Sequence, residues 1–230
     1  MKMLKPGWCS FFLFCMFICM FLGFIASTFM TRCDHQNVRD NDNLSLQDKM
    51  WLLFVEHLKK NGIKEKYIFG SIREDGLFNL SLVDSSISNL NILREIPFKE
   101  LNLAKTKITD LTPLSLCQTL RRLDIIDTKV SDLSPLSKLP LDILEIGSTD
   151  VRDLSPITNM PLRVLHVFPT SITNLDIIFQ TDIRNLTFDP NSFSNEQIKK
   201  LRNSKIEIIN CYPKERFWRE YDNGLWGKKP

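Results

Sequence analysis

Leu123-Asp124-Ile125-Ile126-Asp127-Thr128-Lys129-Val130-Ser131-Asp132-Leu133-Ser134-Pro135-Leu136 sets the fold, because the chain repeats it. The pattern is Leu-x-Leu/Ile, then Thr, then Val/Ile-x-Asp-Leu-Ser/Thr-Pro-Leu/Ile. It occurs before as Leu101-Asn102-Leu103 with Thr106, Ile108 and Asp110-Leu111-Thr112-Pro113-Leu114. It occurs after as Leu144-Glu145-Ile146 with Thr149, Val151 and Asp153-Leu154-Ser155-Pro156-Ile157. The step is 22 residues from Leu101 to Leu123 and 21 from Leu123 to Leu144. Self-similarity at this period marks a solenoid, whose stacked units offer a surface to partners more readily than a pocket to chemistry.

The same step finds looser copies outward. Leu165-His166-Val167 leads to Thr170 and Ile172, Leu186-Thr187-Phe188 to Asn191 and Phe193, and Ile206-Glu207-Ile208 follows. Upstream, Leu80-Ser81-Leu82 precedes Ser85 and Ile87. With Phe98, Leu120, Leu141, Leu162 and Ile183 as first apolar positions, the unit resembles a leucine-rich repeat. Thr106, Thr128, Thr149 and Thr170 stand where such repeats carry Asn. They predict a ladder of buried hydroxyls bonded to the backbone of the neighbouring coil, since unpaired buried polar groups are costly. The Asp-Leu-Ser-Pro-Leu type is similar to bacterial internalin-like repeats and to the arrays that some bacteria append to serine/threonine kinases. Kinase signatures are absent here. The resemblance implies an α/β fold, a leucine-rich repeat solenoid with a curved parallel sheet on the concave face and short helical turns on the convex face. Ser134 and Ser155 are candidate N-caps, with Pro135 and Pro156 at the first helical position.

Both ends read as caps. Ser45 opens a helix over 45–62, with Asp48 placed to reach back and Leu46, Met50, Leu53, Phe54 and Leu58 on one face. Asp75-Gly76 between two apolar runs predicts a hairpin. Beyond the last repeat, Pro213 starts a helix with Phe217, Trp218 and Tyr221, predicted to fold over the last coil. The segment Glu215–Gly224 is similar to the tail that follows such repeats in the kinase-linked proteins.

No charge lies between Lys5 and Arg32. Trp8–Met30 is about 23 residues, roughly 35 Å of helix against a hydrocarbon core of about 30 Å. It predicts one transmembrane signal-anchor helix. Lys2 and Lys5 keep the N-terminus cytoplasmic, so the repeats lie outside a single-pass cell (inner) membrane. The alternative is a cleaved signal peptide and a secreted protein, although the apolar run is long for one. Gly23 and Ser27 have the spacing of a weak self-association contact. The expected organisation is 1–7 cytoplasmic, 8–30 transmembrane, 31–43 linker, 44–76 N-terminal cap, 77–210 repeats and 211–230 C-terminal cap and tail. Thirty basic residues and 27 acidic ones give a net +3. Only Lys2 and Lys5 of these precede Arg32, so the outer part is near neutral, which argues against nucleic acid. Cys117 and Cys211 read as small core residues; Cys33 is juxtamembrane.

No phosphate-binding loop, nucleophile elbow or metal-ligand spacing occurs, and His35, His57 and His166 lack ligand partners at short spacing. The expectation is a non-catalytic protein with no cofactor and no metal, binding a protein partner. Alternation along the strands turns Arg122, Asp124, Ile126, Ile143, Glu145, Val164, His166 and Phe168 to the concave face. These are the candidate partner-binding residues, with Ile126, Ile143, Val164 and Phe168 as an apolar patch. Glu145 reads as facing solvent, and Lys205, Glu207 and Ile209 extend the face. A structural role in the cell envelope is the alternative function.

Overall fold

Each repeat lays one short strand beside the last. The computed structural model describes residues 44–225; Trp8–Met30, the 31–43 linker and the last five residues lie outside it. Among the described residues the sheet runs in chain order: β1 (Phe69–Ile72), β2 (Phe78–Ser81), β3 (Phe98–Asn102), β4 (Arg122–Asp124), β5 (Ile143–Glu145), β6 (Val164–His166), β7 (Asn185–Thr187), β8 (Ile208–Ile209) and β9 (Tyr212–Pro213). From β2 to β8 the pairs are parallel, with Leu101, Leu123, Leu144, Leu165 and Leu186 in one register. The β1–β2 and β8–β9 pairs are antiparallel. The repeat leucines fill one continuous core, and Phe98, Leu120, Leu141, Leu162 and Ile183 are fully enclosed.

The convex side carries short 3-10 turns at Thr112–Leu114, Ser134–Leu136, Ser155–Ile157 and Asp176–Gln180. Serine does not cap them. Asp110, Asp132 and Asp153 accept the N–H of Thr112, Ser134 and Ser155, each at 2.8 Å, and Asn174 does the same for Asp176. An acceptor two residues ahead closes an Asx turn, and the hydroxyl residue then begins the helical turn itself. Hydrogen bonds from the side chains of Thr112, Ser134 and Ser155, with these backbone bonds adding, hold all three Asp carboxyls below their usual range.

The threonine ladder also differs from expectation. Thr106, Thr128 and Thr149 donate to the carbonyls of Leu103, Ile125 and Ile146 in their own coil, at 2.6, 2.8 and 2.7 Å. The preceding residues, Lys105, Asp127 and Ser148, have φ of 58°, 56° and 54°, and Asp84 is alike before Ser85. This left-handed residue turns its N–H to the next coil: Lys105 to Ile126 O, Asp127 to Gly147 O, Ser148 to Pro169 O. The hydrogen-bond ladder thus continues past the strand, and the threonine ties the turn from inside. At the fourth coil Pro169 occupies the left-handed position, where its ring forbids positive φ. There Thr170 caps the N–H of Ile172 instead.

The N-terminal helix α1 (Leu46–Lys60) begins with a capping box between Ser45 and Asp48. Phe54 and Leu58 enter the core, and Phe54 meets Phe78 and Phe98 edge-on or tilted. Leu46, read from the sequence onto the buried face, is exposed. Helix α2 (Asn195–Arg202) follows β7, and α3 (Lys214–Asp222) buries Phe217, Trp218 and Tyr221 against the last coil. The last strand is shifted from the sequence reading. Ile209, not Ile208, pairs with Leu186 and is buried, so Ile206 fills the first apolar slot of its coil. Ile208 then faces out, and Ile209 does not. Cys117 packs against the core, but Cys211 is exposed.

Candidate functional site

The concave face is a lattice of three rows set by strand register. One row runs Glu100, Arg122, Ile143, Val164, Asn185. The next runs Asn102, Asp124, Glu145, His166, Thr187. The third, just beyond the strands, holds Ala104, Ile126, Gly147 and Phe168. All eight candidate residues therefore come together on one rigid sheet. The four apolar ones do not form one patch. Ile143 and Val164 stand on one side of the polar middle row, Ile126 and Phe168 on the other.

The middle row is bonded unevenly. Asn102 and Asp124 turn to their own backbone, accepting from Ala104 N at 3.0 Å and Ile126 N at 2.9 Å. Glu145 instead reaches across strands. Its Oε1 accepts from the Arg122 guanidinium at 2.7 Å, and its Oε2 lies 3.1 Å from His166 Nδ1. An ionised carboxylate only accepts, so that Nδ1 carries the proton. The network stops there: Thr187 Oγ1, next in the row, has no partner among the described residues.

Glu145 and Asp124 are both buried although they face outward. Glu145 lies between its partners rather than in solvent, which corrects the sequence reading. The hydrogen bond from His166 holds the Glu145 carboxyl below its usual range against the opposing effect of burial, with the charges of His166 and Arg122 adding to it. Burial pushes the Asp124 carboxyl up; the bond from Ile126 opposes this, and the Glu145 charge beside it adds to it. One carboxylate is thus a fixed acceptor for Arg122 and His166, and its neighbour is a carboxyl whose charged form burial disfavours.

Phe168 is the most exposed large apolar group on this stretch of the face, at 52%, and Ile208 at the far end of the first row is 40% exposed. Two sequence features put it there. Pro169 removes the standard turn, and Gly147 clears the adjacent coil, since a Cβ at Gly147 would collide with the Phe168 carbonyl. Gly147 stands where the other coils carry Ala104, Ile126 and Phe168, and Pro169 where they carry Lys105, Asp127 and Ser148. No group of three or more His, Cys, Asp or Glu side chains among the described residues is placed to hold a metal.

No protein-family model matches the chain, and no curated protein sequence matches it. Among solved structures it is similar to internalin C2 of Listeria monocytogenes, at 25% identity over 45% of this chain and 46% of that one, with a TM-score of 0.40. It is similar to a second Listeria monocytogenes internalin, inlF, at 22% identity over 56% and 39%, with a TM-score of 0.45. A leucine-rich repeat protein of Leptospira interrogans gives 17% identity over 59% and 38%, with a TM-score of 0.39. The matches span less than half the length of each of these bacterial proteins. The leucine-rich repeat architecture of this chain rests on its own register and buried leucine positions.

Proposed function

We propose that the chain is a non-catalytic interaction module that binds a protein partner on its concave face. In this reading Trp8–Met30 anchors it in the cell membrane, with the repeats extracytoplasmic. The observation that carries the binding site is the bare Phe168 beside the preorganised Arg122–Glu145–His166 network, on a sheet whose core is already complete. Aromatic and arginine side chains on rigid elements are the usual anchors of interfaces. Crosslinking in intact cells, with identification of the captured protein, supplies the partner. Phe168→Ala is then expected to weaken binding by roughly 2 kcal/mol or more with the fold intact, while Lys138→Ala on the convex side changes nothing. Normal binding by Phe168→Ala, together with loss in convex or cap variants, overturns the concave site. The anchor has its own test. The chain is expected to resist alkaline extraction and to lose its repeats to protease added outside; release of a shortened soluble form would mean a cleaved signal.

A further inference from the structure

The two edges of the sheet are finished differently. At the C-terminal edge, β9 is two residues long and ends in Pro213, which has no N–H to offer a further strand. At the N-terminal edge, β1 is Phe69-Gly70-Ser71-Ile72, with neither proline nor lysine in it. Arg73 donates its N–H to the Leu77 carbonyl, and the β1–β2 register runs on unbroken from there. Alternation in an antiparallel pair then turns the N–H and C=O of Phe69 and Ser71 towards β2, and those of Gly70 and Ile72 away from it. Among the described residues no strand pairs with that outward side. Gly70 is exposed, and a residue without a side chain shows solvent only its backbone. Phe69 stands on the concave face beside Ser81. It is 63% exposed, because the edge strand has no neighbour to cover it.

The open strand is complementary to itself. About a two-fold axis through Ser71, two copies of β1 run antiparallel, with Gly70 of each opposite Ile72 of the other. The outward groups of both copies then meet as backbone hydrogen bonds with none left over. On the core side, Ile72 meets no side chain at the opposing Gly70 and lies towards Trp51 beneath it, which a Cβ at Gly70 would approach to 2.8 Å. On the concave side, Phe69 of each copy stands across from Arg73 of the other, whose guanidinium suits an aromatic face. Charge favours the same arrangement. The turn that enters β1 carries Lys64 and Lys66, with Glu65 between them held by Lys59 at 3.1 Å. The turn that leaves it carries Glu74 and Asp75. The two-fold sets the entering turn of each copy against the leaving turn of the other, so opposite charges meet twice. Parallel pairing would set like against like.

We propose that β1 pairs with β1 of a second copy of the chain, antiparallel about Ser71, and joins the two sheets edge to edge. Two concave faces then form one continuous surface. A strand of four residues buries less than a standard interface, so the pairing is weak in dilute solution and forms where copies are concentrated. It depends neither on the anchor nor on where a partner protein sits.

Disulfide mapping tests it on the full chain, in detergent, at the highest concentration that stays soluble. The background carries Cys9→Ala, Cys15→Ala, Cys19→Ala, Cys33→Ala and Cys211→Ala and keeps Cys117, which packs against the core. Across the proposed axis the Ser71 Cα atoms are about 4.5 Å apart, within disulfide reach. Equivalent Phe69 or Arg73 residues are about 14 Å apart. Under copper–phenanthroline, Ser71→Cys is expected to form a linked dimer many-fold faster than Phe69→Cys or Arg73→Cys alone. Mixing the Phe69→Cys and Arg73→Cys chains is expected to restore fast linkage. Lys138→Cys, exposed on the convex side, gives the rate of chance collision, and thermal melting of each variant checks the fold. A Ser71→Cys rate no higher than that of Lys138→Cys overturns the proposal. Linkage at Phe69, Ser71 and Arg73 alike means parallel strands and overturns it as well.

Discussion

Asp124 and Glu145 face each other in the same row, yet they respond to pH in opposite senses. Glu145 has a lowered folded pKa. Its contribution to stability is fully present above the unfolded value, about 4.3, and is lost as pH falls through the folded one. Glu145→Gln is expected to lower the denaturation midpoint at pH 7, by a margin that shrinks below about pH 4. A margin unchanged at pH 3 would show that the carboxylate charge is not what holds Arg122 and His166. Asp124 has a raised folded pKa, so the stability linked to it is present below about 3.9 and is lost as pH rises through the folded value. Asp124→Asn keeps an acceptor for the Ile126 N–H and removes the buried charge. It is expected to stabilise the protein at pH 7 and to leave its stability unchanged near pH 3; urea denaturation at the two pH values checks both. Alternation along the strand placed these side chains on the correct face. Their burial was not legible, because it depends on which long side chains close over them from adjacent coils, and that is a matter of register between strands.

Two elements carry the coil-to-coil geometry, the left-handed turn and the glycine gap beside Phe168. Thr128→Val leaves the Ile125 carbonyl without its 2.8 Å bond in a buried site, and the expected cost is about 1–3 kcal/mol by thermal or denaturant melting. A cost near zero would mean that the turn holds without its internal tie. Gly147→Ala forces the Phe168 backbone away. It is expected to destabilise by about 1–3 kcal/mol and to weaken partner capture along with Phe168→Ala. Capture at wild-type strength would show that the Phe168 position is not critical. The strand order was legible because Leu-x-Leu recurs at a nearly fixed step. It failed at the last coil, where α2 alters the spacing and Ile206-Glu207-Ile208 imitates the pair. The true pair of core positions there, Ile206 and Ile209, has the three-residue gap of the first and second leucines. The αL turns were hidden for a different reason: Lys105, Asp127 and Ser148 share a backbone conformation but no side-chain signature. Pro169 could have flagged the exceptional coil, since proline is the residue that such a turn excludes.

At the scale of the molecule, the core is one continuous stack closed by aromatic clusters at both ends. Phe54, Phe78 and Phe98 close one end; Phe188, Phe193, Phe217, Trp218 and Tyr221 close the other. In a solenoid each coil is supported mainly by its neighbours. Phe217→Ala is therefore expected to cost about 3–5 kcal/mol and to speed hydrogen exchange in β7, α2 and α3, with β3 and β4 changed little. Uniform acceleration along the sheet would mean that the stack melts as one unit. The period made this architecture legible, and the apolar runs at each end made the caps legible. The residues that close the far end, gathered from the segment between β7 and α2 and from α3, were legible only in part, since Phe188 and Phe193 read as repeat positions rather than as the floor of a cap. The three-row lattice also acts as a ruler. Its side chains recur across the strands every ~4.8 Å, whereas an extended peptide laid along a row shows one face every ~6.8 Å and is out of step within a coil. A helix laid along the row would advance ~5.4 Å per turn and lag by only ~1.2 Å across the two strand spacings from Arg122 to Phe168, so two helical turns stay in step with the lattice over that span.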